Sequence, residues 1–184
     1  MKTRTMLAGL LILSALAAHS QKYITKTGYI RFFSDAPLEK IEAHNRQVSS
    51  ALDLANGGFV FNVLMKSFTF EKALMQEHFN ENYVESDKFP NARFSGKVTN
   101  IKDIDPSRDG VYEAQVEGKL TLHGITKDVK VKGSFEAKKG RLTGKAVFPL
   151  TVSDYDIKIP GAVVRNIAKT VEITVEVSLD KANP

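Results

Sequence analysis

Beyond residue 20 three histidines, His44, His78 and His123, are the side chains best suited to acid–base chemistry, because imidazole alone has an ordinary pKa near neutrality. They lie 78 − 44 = 34 and 123 − 78 = 45 residues apart, without the short-spaced pairing that a metal site uses. Nucleophilic catalysis needs a serine or cysteine within reach of a base. The chain has no cysteine, and none of its serines sits in a Gly-x-Ser-x-Gly elbow. Asp103, Asp105 and Asp109 crowd one loop, and Asp154 and Asp156 flank Tyr155 in another. The trio lacks the ordered spacing and terminal glutamate of a calcium loop and reads as solvated turn carboxylates. His78 falls on the apolar face of a short helical stretch and His123 where a strand enters a turn, both places where histidine is usually structural. A hydrolase built on either is the least favoured reading. No catalytic residue, metal or cofactor is expected, and the chain is not read as an enzyme.

The elements that would hold such residues are strands. From Val111 to Leu122, Ala114, Val116, Gly118, Leu120 and Leu122 share one face, while Glu113, Gln115, Glu117, Lys119 and Thr121 share the other. Val171, Ile173, Val175, Val177 and Leu179 repeat the pattern. A sheet wetted on one side must close around something apolar. Further extended runs cover Tyr23–Phe33, bent near Gly28, and Ile41–Ala55, which the turn Asn56-Gly57-Gly58 joins to Phe59, Phe61, Val63 and Met65. Between Phe70 and Asn80 the period becomes helical, with Leu74, Met75, His78 and Phe79 on one face. Pro90 returns the chain to extended form, and turns at Asp105–Gly110, His123–Thr126 and Lys138–Gly140 space the later strands as a meander. The expected fold is all-β: an antiparallel up-and-down barrel of about eight strands, with one short helix after the fourth or fifth.

Residues 1–20 stand apart. Lys2 and Arg4 precede an apolar run from Met6 to Ala18, with small residues at Ala18 and Ser20, which reads as a secretory signal peptide cleaved after Ser20. Residues 21–184 then form one domain of 184 − 20 = 164 residues, placed in a periplasm or outside the cell. Its formal charge is (26 − 2) − 21 = +3, with basic residues scattered along polar strand faces, so neither nucleic-acid binding nor stable membrane insertion is expected. A homodimer is left open, and no protein partner is identified.

The inward positions are rich in large apolar groups, including Phe32, Phe59, Phe61, Met65, Leu74, Phe79, Phe94, Leu120, Leu122, Phe135 and Phe148. They could be an ordinary core or the lining of an apolar cavity, with Gly96, Gly118, Gly133 and Gly144 leaving room on the same faces.

The segment Gly118-Lys119-Leu120-Thr121-Leu122-His123-Gly124-Ile125-Thr126-Lys127 resembles the YceI-like family of exported lipid-binding proteins, as does Phe89-Pro90-Asn91-Ala92-Arg93-Phe94 downstream of the Leu74-Met75 helix. The resemblance extends from Ile30-Arg31-Phe32-Phe33-Ser34 to the terminal strand at Leu179. It implies a lipocalin-like barrel with an elongated cavity that binds polyisoprenoids or similar long-chain amphiphiles. Position by position, it implies ligand contacts at Leu74, Met75, Phe89, Phe94, Leu120, Leu122 and His123, beside Phe32, Phe59, Phe61 and Phe79 from the aromatic pattern. One segment departs from the family: Val152-Ser153-Asp154-Tyr155-Asp156-Ile157 lacks the usual arginine and carries Asp156 where the family has glycine. The leading expectation is a carrier that holds a long-chain lipid without transforming it. The alternative is a barrel filled by its own side chains that serves as a structural or stress-related interaction module.

Overall fold

The computed structural model describes residues 22–182, so the proposed leader lies outside the described residues. The strands are β1 (Lys22–Asp35), β2 (Lys40–Asp53), β3 (Gly58–Leu64), β4 (Thr69–Phe70), β5 (Asn91–Val98), β6 (Gly110–Leu122), β7 (Ile125–Lys138), β8 (Arg141–Thr151) and β9 (Thr170–Lys181), with helix α1 (Ala73–His78) between β4 and β5. All pairings are antiparallel. Eight strands follow one another around a meander that β1 closes by pairing with both β2 and β9, while the two-residue β4 is appended to β2. This is the expected eight-stave antiparallel barrel with one short helix after the fourth strand. β1 closes the barrel, but β7 and β8 pair only over Gly133–Lys138 against Arg141–Ala146, so above that point residues 125–132 pair with β6 alone and residues 147–151 with β9 alone.

The helix is shorter than its apolar spacing suggests. Phe70 pairs with Ala43 across β2 and β4 instead of starting the helix, and Phe79–Tyr83 continue α1 as a wider turn. β1 remains one strand but bends at Gly28, where its register against β2 shifts. A Cβ at Gly28 would lie 2.9 Å from the Val177 side chain, so the bend needs glycine. Asn45, fully buried beside that shift, donates from Nδ2 to the Leu64 carbonyl (2.8 Å) and accepts from the Gln47 amide (2.8 Å). Its side chain thus replaces ladder bonds where β2 leaves β3 for β4.

The two ends of the barrel differ. At one end the short β2–β3 and β7–β8 connections and the β5–β6 loop surround a cluster of Tyr23, Leu52, Phe59, Val98, Ile104, Ala114, Phe135, Ala137, Leu142, Val177 and Leu179. This end is the floor. At the other, residues 65–90 and 152–169 make two long excursions, and apolar groups from both pack among the upper strand ends.

Candidate ligand-binding cavity

Above the floor a cavity of about 570 Å³ runs up the barrel axis, within the range of roughly 300–1,000 Å³ typical of small-molecule sites. Every stave contributes an apolar wall residue: Ile30, Ile41, Phe61, Phe94, Val116, Val131, Ala146 and Val175 are one from each. On β9 the lining runs from Val171 to Val177. At about 3.3 Å per residue and a tilt of roughly 35–45°, that span gives a depth on the order of 15 Å. The walls are apolar because one face of each stave alternates inward. Inward groups pack together at the floor and again beneath the two excursions, and members of both clusters line the cavity, so the barrel is filled in part by its own side chains and hollow in part.

Of the residues expected to contact a ligand, Phe32, Phe59, Phe61, Leu74, Met75, Phe79, Phe94, Leu120 and Leu122 line this cavity. Leu74 does so from the outer lip, being 61% exposed. Phe32, Phe68, Phe70 and Phe79 form a stacked and edge-on aromatic group beneath the helix, with centroids 5.1 to 5.7 Å apart.

Phe89 and His123 stand elsewhere. His123 ends β6 with φ 50°, which breaks the strand's alternation and turns the imidazole away from the lining. Its Nδ1 lies 2.9 Å from the Tyr155 carbonyl oxygen and its Nε2 lies 2.7 Å from Glu85 Oε2, with the Phe89 ring edge-on at 4.8 Å. A carbonyl only accepts, so Nδ1 carries a proton and donates. Both ring nitrogens are thus engaged, leaving neither for a substrate. Glu85 (φ 44°) and Asp156 (φ 54°) also occupy the left-handed region, so three non-glycine residues in this costly conformation converge on one corner. The Leu-His-Gly signal is a clasp that binds both excursions to the β6–β7 turn, and Asp156 keeps the backbone conformation for which glycine is the usual residue.

The glycines also act differently from expectation. Gly96 and Gly118 face each other across β5 and β6, but the Phe94 ring lies over them, where a Cβ on Gly96 would come within 2.6 Å of it. Phe135 covers Gly144 in the same way, at 2.8 Å from such a Cβ. The room left by glycine seats aromatic rings. Gly133 and Gly144 still border the cavity.

Polar groups gather at the mouth. Glu39 between β1 and β2 accepts from Lys72 Nζ at 3.1 Å and from Asn166 Nδ2 at 3.4 Å, while Ser34 Oγ accepts from the Ala168 amide at 2.8 Å. Hydrogen bonds from Lys72 and then Asn166 hold the Glu39 carboxyl below its ordinary pKa. Tyr83, also in the lining, has its hydroxyl pKa raised by burial. His78 lies at the lip. Ile157, Ile159, Val163 and Ile167, from residues 152–169, complete the upper wall. Nothing in their spacing marks them beforehand, because that segment has neither strand nor helix period. Asp105 spends its carboxylate on the backbone and hydroxyl of Ser107, and Asp109 accepts from the Lys139 amide.

This architecture matches known structures at low sequence identity. A polyisoprenoid binding domain from Saccharophagus degradans superposes with a TM-score of 0.77 at 12% identity, covering 89% of this chain and 99% of that one. Burkholderia cenocepacia BcnA gives 0.68 at 17% identity, over 84% of this chain and 96% of its own. The Campylobacter jejuni YCEI protein gives 0.58 at 13%, over 77% and 85%. In sequence, a UPF0312 protein of Pseudomonas fluorescens is 39% identical over 56 residues, which is 30% of this chain and 27% of that protein's length. The chain thus matches only about a quarter of that relative. The family model for the YceI-like domain aligns with residues 23–179, essentially the whole barrel, and the chain belongs to that family.

Proposed function

We propose that this protein is an exported carrier that holds one long-chain amphiphile, of the polyisoprenoid class or similar, in its barrel without chemical change. The observation that carries the reading is a deep apolar cavity sealed at the floor and open at a polar-rimmed mouth, which suits a tail inside and a head group outside. The Saccharophagus domain, with the same fold, is described as polyisoprenoid binding, and the leader-like residues 1–20 agree with export. Burial of roughly 20 methylenes contributes on the order of 16 kcal/mol gross at about 0.8 each, against about 4–15 for association and ordering. The net of roughly 1–12 kcal/mol reaches micromolar retention, without special polar chemistry, where association and ordering cost about 8 or less.

Native mass spectrometry of the purified protein, followed by lipid extraction, is expected to show a hydrophobic adduct. Ala146 faces the void midway up β8, so Ala146→Phe should obstruct the cavity at mid-depth, be accommodated by the empty space with little loss of stability, and weaken binding of a fluorescent prenyl or fatty-acyl probe by about tenfold or more. A protein that carries no adduct and takes up neither probe overturns the proposal.

A further inference from the structure

The three segments that frame the mouth each lift an apolar tip into solvent. Pro37 and Leu38 cap the β1–β2 connection, Ala73 and Leu74 open α1, and Gly161, Ala162 and Val164 crown the β8–β9 excursion. Leu38, Leu74 and Val164 are 60%, 61% and 43% exposed. They are held as one rim: the Leu38 amide donates to the Arg165 carbonyl at 3.0 Å, and Glu39 gathers Lys72 and Asn166. Elsewhere Val111 and Val147 stand singly on outward strand faces, and Ile24 and Val60 flank Ala51 on one short cross-strand row, which is ordinary for a protein surface. Apolar tips on three separate segments around one opening are not ordinary.

The charge around the rim says what surface fits. Residues 35–40, 71–78 and 152–169 carry six acids (Asp35, Glu39, Glu71, Glu77, Asp154, Asp156) and five bases (Lys40, Lys72, Lys158, Arg165, Lys169). Three of those bases are already paired within the rim, Lys40 with Asp35, Lys72 with Glu39 and Lys158 with Asp156. A nearly neutral, apolar-tipped ring matches a zwitterionic bilayer surface and not an anionic one. We infer that the mouth docks on a zwitterionic lipid bilayer, its three tips entering the headgroup layer without insertion of the barrel. The cavity then opens directly onto the phase where a long-chain amphiphile resides, so cargo need not cross water. The purpose of docking rests on the carrier reading above, but the docking itself is measurable apart from it.

The test uses phosphatidylcholine vesicles and a double variant, Leu38→Asp with Val164→Asp, at exposed positions outside the cavity lining. The parent protein should float with the vesicles at low and high salt alike, since the attraction is not ionic. The double variant should lose about tenfold or more of that binding, and should slow transfer of a fluorescent prenyl probe between vesicles while binding the same probe from solution unchanged. Val111→Asp should match the parent. Because the chain has no tryptophan, Val164→Trp supplies a single reporter whose emission should shift to the blue on vesicles. A parent that does not float, one that binds only anionic vesicles and is released by salt, or a double variant that floats like the parent overturns the proposal. So does a concentration-dependent dimer that the double variant abolishes, for then a second copy covers the rim. Vesicle binding that persists in a protein that takes up no probe refutes the carrier reading and leaves the docking surface standing.

Discussion

The floor and the mouth of this barrel are built from the same eight staves and hold themselves together by different means. At the floor, Leu52, Leu142 and Leu179 are fully buried, Phe59 and Phe135 lie with ring centroids 5.8 Å apart, and two of the three connections are tight turns. At the mouth β7 and β8 part, the excursions bury Met65, Phe68, Val84, Tyr155 and Ile157 against the upper strand ends, and polar attachments fix where they sit: the His123 clasp on one side and the Glu39 tie on the other. Close packing yields stability per residue, whereas a cavity forgoes it and needs specific polar bonds to keep its walls in place. Division of labour between the ends lets one domain be both stable and hollow.

The sharpest way to break that comparison is to truncate a leucine at each end. Leu142→Ala leaves a cavity in a packed floor and should cost about 2–5 kcal/mol of unfolding free energy. Leu74→Ala removes an exposed side chain at the lip and should change stability by less than about 0.5 kcal/mol. Denaturant unfolding measures both, and equal losses would mean that the void is not where the packing ends.

The clasp comes next in size. His123→Ala strands the Tyr155 carbonyl, removes the charge-assisted contact to Glu85 and undercuts the Phe89 ring, for an expected loss of about 1–3 kcal/mol. His123→Asn tolerates the left-handed backbone and should recover only the part of that loss owed to φ. If both variants unfold like the parent, the corner does not secure the excursions.

Much of the wall was legible in the sequence because a barrel stave has one wet and one dry face, so Leu120, Leu122, Val171, Ile173 and Val175 announce themselves by period alone. The aromatic lining at Phe32, Phe59, Phe61 and Phe94 followed from the same rule. What stayed hidden depends on contacts between segments distant in the chain. Nothing local says that β2 would recruit Phe70 away from the helix, or that the Phe94 and Phe135 rings would occupy the room over the glycines. Phe89 and His123 are expected at the cavity only through the family resemblance, whereas the residues alone mark His123 as a structural turn histidine. The left-handed turn of His123 sends them to the clasp, and only Gly124 hinted at it. Ile157, Ile159 and Ile167 were unreadable, since an aperiodic segment does not say which of its residues face inward.

The Glu39 tie at the mouth should have the smallest effect and a definite pH signature. Its carboxyl is held below the ordinary 4.5 by hydrogen bonds from Lys72 and then Asn166, partly offset by burial. The folded state therefore binds fewer protons than the unfolded state in acid. The tie's contribution is fully present above the ordinary value and is lost as pH falls through the lowered one. With about a quarter of the side chain exposed, the contribution should be about 1 kcal/mol or less. Glu39→Gln should be less stable than the parent near neutrality by that small amount, and the two should converge in acid below the carboxylate range. A gap that stays constant with pH would assign the mouth's cohesion to apolar packing, making it a looser version of the floor.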